Sequence, residues 1–571
     1  MNKTITWTPW IVRASLLRTS QIVLALVGLT GASAADLTVS PLFSDHGFLQ
    51  QETVAPIWGT ADPHAKVTVE FRSVSAEATA DNDGKWIARL KTPKAEPGQT
   101  GTDLKISSGP STLVLQDVVV GEIWAGSGQS NIDSSMREYA VGRDESSRAN
   151  YPNIRFYNCG INGDFSKCKW SCCTPTSASV ASATGYFFSR DLHQALQVPV
   201  GFLNMAVSGS PMGPFLKPDW LKADPRTASN FEKLLKEAIP VFIEDRKTRM
   251  AKWNSDVEEA RTKGLPQPRR PFEGEPADIS ADYFFGERFT KRVLPVIPFA
   301  FRGLLWDQGE AGVAASMWRM ENGRNVLYNG GWIYDQVFDI MITNWRREFG
   351  VNFPVVYCDM PKGGAWGPTA VLVTQKANAA PGEAELGAPV ELVDLPAKVP
   401  EPGAPFEGFD KEPNPYSRML ALPDCHMAVD RDLDVYVHPP DKDKYGHRFY
   451  LTAINKVYGQ KVECYGPMMK SAKREGDKVR VSFDHVGTGL VALGDRPLQG
   501  FSVTGKDKAS GAARNVWAAC QIDRDTVLLS APELSSIELV SYANASRGRV
   551  KWANLFNQDG LPAYPMTLKV E

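Results

Sequence analysis

The chain has 571 residues, with 63 Lys+Arg against 65 Asp+Glu and a formal net charge of −2. That balance excludes a protein that grips nucleic acid through a basic surplus. A composition of 43% hydrophobic and 22% charged residues excludes global disorder, and at about 150 residues per domain the length predicts several domains.

In chain order, Lys3, Arg13 and Arg18 precede an apolar run over residues 22–29, and Ala32-Ser33-Ala34 offers small residues for cleavage. Residues 1–34 therefore read as an export signal. The apolar run is far shorter than the ~20 residues that span a bilayer, so the expectation is a secreted or periplasmic protein with no membrane association beyond export. Residues 35–118 show period-two alternation at Val67, Val69 and Phe71, and Asp83-Gly84 supplies a hairpin turn, which predicts an N-terminal β-sandwich domain.

From 119 to 458 the pattern changes. Short apolar runs at 154–157, 200–205, 304–306 and 355–358 are separated by helical stretches at 183–196 and 333–345, which predicts an α/β domain with a parallel sheet sandwiched by helices. Insertions at about 216–290 and 362–415 interrupt it. Within the first, Ile243, Met250, Trp253 and Val257 fall at helical spacing in a charge-rich segment, 230–263. That pattern is an amphipathic helix, readable either as a lid or as a solvated decoration. The second is rich in Pro, Gly and Ala and reads as an irregular loop.

Cys159, Cys168, Cys172 and Cys173 lack a paired C-x-x-C spacing and a nearby histidine, so loop-stapling disulfides are expected there and a zinc site is not. Alternation returns after 459 with Val479, Val481 and Phe483. Residues 459–571 are expected to form a C-terminal β domain, packed onto the rest without a linker.

The segment Gly121-Glu-Ile-Trp-Ala-Gly-Ser-Gly-Gln-Ser-Asn131 reads as a strand ending in a tight turn that leaves Ser130 exposed. In a parallel sheet such a turn opens into the crevice at the carboxyl ends of the strands. On its own it would be a helix cap.

The run Ser127-Gly-Gln-Ser-Asn131 resembles the nucleophile block of the sialate O-acetylesterase family, carbohydrate esterases of the SGNH hydrolase superfamily. Further blocks follow in the family's order: Pro41-Leu-Phe-Ser-Asp-His46, Pro152-Asn-Ile-Arg155, Val198-Pro-Val-Gly201, Trp306-Asp-Gln-Gly-Glu310, Val437-His-Pro439, Asn554-Leu-Phe-Asn557 and Asp559-Gly-Leu-Pro562. The resemblance implies an SGNH-type sheet and an exported esterase that removes acetyl groups from a carbohydrate, needing neither metal nor organic cofactor. It implies Ser130 as nucleophile and His438 as its base. It further implies the Ser130 N–H, the Gly209 N–H and the Gln308 amide as oxyanion donors, with Asn131 and Glu310 contacting substrate.

The chain also departs from the family. The acid expected two or three positions before the histidine is absent, since Val435, Tyr436 and Val437 stand there. Asp434, ahead of Asp432, is the candidate to orient His438, with a backbone carbonyl as the alternative. Val207-Ser208-Gly209 replaces the family's Trp-Gly-Gly, and Asp307 replaces a Tyr. The absent acid motivates a rival reading, a carbohydrate-binding protein on the same scaffold with little or no catalysis. A glycosidase using Glu310 and Asp307 is disfavoured, because residues so close in one strand do not flank a scissile bond.

Overall fold

The computed structural model describes residues 36–571 apart from 160–163, 234, 237–238, 272–283, 309–316, 322–323, 329–333, 360–400, 406–414, 431, 434–437, 495 and 544–552. The expected export signal and nearly all of the 362–415 insertion lie outside the described residues. Among the described residues no helix is long and apolar enough to cross a membrane.

The site is carried by a sheet whose strands are β1 (Ser111–Gly128), β2 (Tyr151–Asn158), β3 (Trp170–Cys173), β4 (Val200–Asn204), β5 (Gly303–Asp307), β6 (Val355–Cys358) and β7 (Cys425–Ala428). They stand in the order β7-β6-β5-β1-β4-β2-β3. Neighbours run parallel except β2 and β3. The chain enters at β1, builds outward through β2 and β4 on one side, then crosses to β5, β6 and β7 on the other. The loop after β1 therefore sits at the switch point, where such sheets open a crevice.

The predicted runs become these strands because alternate side chains serve two cores. Ile123, Leu304, Trp306, Val355, Tyr357 and Met427 enter one core, shared with α4 (Tyr334–Phe349). Trp124, Leu305, Val356 and Ala428 enter the other, shared with α2 (Ala183–Leu196) and α5 (Lys442–Lys456). Burial on both faces explains why these strands read as continuous apolar runs, and each large side chain so buried contributes about 1.5–3 kcal/mol.

β1 has a second role at its other end. Its first half pairs antiparallel with Thr102–Ser108, which pairs in turn with Lys66–Phe71. Its burial alternates there and becomes complete from Val118 onward. One strand thus runs unbroken from the N-terminal antiparallel layer into the central sheet.

Residues after α5 form two four-stranded antiparallel sheets around one apolar core that includes Val481, Phe501, Val527 and Val540. In the first insertion α3 (Ile239–Lys263) buries Ile239, Arg246, Met250 and Ala260 along a narrow stripe and leaves most of its other described residues in solvent. Of the clustered cysteines, Cys159 and Cys168 form a disulfide. Cys172 and Cys173, as strand neighbours, point to opposite faces and remain thiols.

Candidate active site

β1 ends at Gly128 with φ 111°. A side chain there would begin 1.9 Å from the Asp307 carbonyl, and the Gln129 N–H donates to that same carbonyl at 2.8 Å. Only glycine allows the turn that leads into Ser130 to close this tightly onto the end of β5. The chain then makes a single helical turn, α1 (Ser130–Asp133), whose first residue is Ser130.

His438, 308 residues later, brings Nε2 to 2.6 Å from Ser130 Oγ. Ser130 is buried, and His438 stands at the surface with one ring edge turned inward. Loss of water around that edge, with the Lys442 ammonium second, holds the imidazole below its ordinary value near 6.5, and the Glu138 carboxylate pulls the other way. Neutral imidazole with a free electron pair at Nε2 can take a hydroxyl proton.

The Asn204–Pro211 segment packs beside this pair. Asp133, at the end of α1, accepts from the Ser208 N–H at 3.0 Å and hydroxyl at 2.8 Å, and from the Asn204 amide at 3.3 Å. One carboxylate so fixes the loop bearing Gly209, which is exposed and has open space where a Cβ would stand. Gln308 is buried at the end of β5. Its side-chain amide donates to Gln129 Oε1 at 3.3 Å and to the Ser210 carbonyl at 3.4 Å, while its main-chain carbonyl accepts from the Tyr334 and Tyr416 hydroxyls.

Asn131, which the resemblance implies as a substrate contact, lies inside the protein. It has no exposed surface, and its side-chain oxygen accepts from Lys442 Nζ at 2.6 Å. The helical turn points it inward, toward the first residue of α5. Asp307 is likewise buried, with a Tyr445 hydroxyl on its carboxylate, so it cannot flank a glycosidic bond. Asp432 is held by Arg448 at 2.9 Å, which ties it to α5. Asp434 and Glu310 lie outside the described residues.

Strand periodicity explains what lies behind Ser130 and His438. Asp307, Cys358 and Asp430 continue the side of β5, β6 and β7 that faces α5, and their ligand atoms lie within 4.8 Å of one another. Burial pushes the Asp307 carboxyl up to about 6 against the pull of Tyr445 and Lys442, and drives Asp430 and Cys358 well above their ordinary values. A second group of possible ligands, His46, Asp117 and Cys172, is already engaged through the Asp117 pairs with His46 and Arg155. Sequence reasoning missed Lys442, Tyr445 and Asp133. A fully buried lysine carries no sequence signal beyond its place four residues after His438.

No protein-family model matches the chain. The mouse sialate O-acetylesterase is 22% identical over 489 residues, covering 79% of this chain and 79% of the relative, and the human one is 24% identical over 457 residues, covering 72% and 69%. The chain is similar to the sialate O-acetylesterases. A solved carbohydrate acetylesterase from Xanthomonas citri aligns with a TM-score of 0.65 at 23% identity, over 93% of this chain and 99% of that one. That alignment shows that the two share a fold. In the tertiary structure the turns after β1, β4 and β5 meet through Gln308, which reaches Gln129 and Ser210, and His438 closes on Ser130.

Proposed function

We propose that the protein is an exported carbohydrate O-acetylesterase. The observation that carries this reading is the 2.6 Å separation of His438 Nε2 and Ser130 Oγ at the switch point of the sheet. His438 removes the hydroxyl proton as Ser130 Oγ attacks the acetyl carbonyl, then returns it to the departing sugar oxygen. Water, deprotonated by the same imidazole, releases acetate from the acyl-enzyme.

The oxyanion is assigned to the N–H groups of Ser130 and Gly209 and to the Gln308 amide. The hydrogen bonds of that amide to Gln129 and Ser210 are long, at 3.3 and 3.4 Å, and are readily exchanged for a charge-assisted one. Arg448 engages Asp432, which leaves Asp434 or a backbone carbonyl to orient the imidazole. Glu310 is assigned to the substrate. The acetylated sugar is inferred from the names of the similar proteins. Residues 1–34 are assigned as the leader that exports the protein, with domains at 35–118, 119–458 and 459–571.

A fluorophosphonate probe is expected to label Ser130, and acetate release from a panel of acetylated glycans is expected to vanish in Ser130→Ala with the fold intact. Sugar binding without labelling or acetate release would replace the esterase with a binding protein.

A further inference from the structure

The element that carries His438 is joined to the nucleophile turn by a second, buried connection. Lys442 opens α5, four residues after His438, and has no exposed surface. Its ammonium donates to Asn131 Oδ1 at 2.6 Å, directly behind Ser130. The Tyr139 and Tyr445 rings lie 5.2 and 4.3 Å from Nζ, and the Asp307 carboxylate attracts it from the end of β5. The Asn131 carbonyl is fixed in turn by the Thr184 hydroxyl of α2 at 2.6 Å.

Burying an ammonium is costly unless charge and hydrogen bonds compensate it. Here the compensation comes from the nucleophile turn, from β5 and from two aromatic faces. The Ser–His distance is set between parts of the chain 308 residues apart, and the positions before His438 lack the family's acid. We propose that Lys442 is a positioning residue: by gripping Asn131 it clamps the His438 loop onto the nucleophile turn and holds the dyad in register. The inference rests on the esterase reading of the same dyad.

A purely structural lysine and a clamp make different predictions. Among the described residues the charged groups facing His438 are Lys442 and, in the opposite sense, Glu138 on the short helix after α1. Lys442→Met removes both grip and charge. It is expected to slow fluorophosphonate labelling of Ser130 about tenfold or more and to move the acid limb of the labelling rate to higher pH, because the imidazole then protonates more readily. Asn131→Ala removes the grip and keeps the charge. Its labelling is expected to slow comparably with the acid limb nearly in place, and the double variant to be little slower than Lys442→Met, since coupled residues are not additive.

Labelling of Lys442→Met within about twofold of wild type, with an unmoved limb, overturns the clamp and leaves the esterase standing. So do strictly multiplicative losses in the double variant. If Lys442→Met does not fold, Asn131→Ala alone decides, and wild-type labelling in it overturns the proposal. Failure of the wild-type protein to label at Ser130 overturns the esterase reading and this inference with it.

Discussion

Gln308 shows how much a single side chain can carry at this site. Its amide lies between the turns after β1 and β4 and reaches both through long hydrogen bonds. Gln308→Ala is expected to lower kcat by about 10² to 10³ with little change in KM, because an oxyanion donor acts on the transition state. Steady-state hydrolysis of an activated acetyl ester measures this, and an unchanged kcat would reduce Gln308 to a structural residue. At this scale the resemblance of their motifs singled out Ser130, His438, Gly209 and Gln308, and the fold sets His438 against Ser130. The resemblance gave no sign that Asn131 is buried, because a motif does not say which face of a one-turn helix meets solvent. It also gave no sign that Asp133 would hold the Ser208 turn, since that bond closes only when α1 and the loop after β4 are brought together.

At the scale of elements, α2 and α5 were legible by their spacing, whereas their mutual approach was not. Gly446 on α5 faces α2 so closely that a Cβ would stand 2.7 Å from the Phe187 Cβ and 2.8 Å from the Thr184 carbonyl. Thr184 also holds Asn131, so this crossing supports the nucleophile turn as well as the core. Gly446→Val is expected to destabilise the protein by about 1–3 kcal/mol, the range for overpacking, and to slow Ser130 labelling. Denaturant unfolding and probe kinetics on the same variant check the two effects together. α3 was legible as an amphipathic helix because its apolar residues recur on one face, while the disulfide needed coordinates, since spacing alone leaves the pairing of the four clustered cysteines open.

For the whole molecule, the buried carboxylates behind the dyad tie stability to pH. Asp430 has a carboxyl pushed well above 3.8 by burial and by Asp307 and Asp359. The folded state therefore keeps this proton at pH values where the unfolded chain has lost it. Its contribution to stability is full below the unfolded value and declines as pH rises toward the folded one. Asp430→Asn removes that decline, so its stability relative to wild type is expected to increase from pH 4 to pH 7. Thermal melts across that range measure it, and a pH-independent difference would contradict the assignment. The unbroken course of β1 from the N-terminal layer into the central sheet also explains why the composition shift near residue 118 is not accompanied by a linker.

The sequence by itself determined the alternation of strands and helices and the parallel sheet, because periodicity is a local property of the chain, while the roles proposed for Ser130 and His438 rest on the resemblance of their motifs to the sialate O-acetylesterase family. The tertiary structure alone decided which charges are buried and what they touch. Lys442, Asp307 and Asp430 read as ordinary charged residues in sequence. They become a buried assembly because α5 lies across the carboxyl ends of β5, β6 and β7, on the side to which strand alternation directs those carboxylates. Burial is set by the packing of distant segments, and desolvation follows burial.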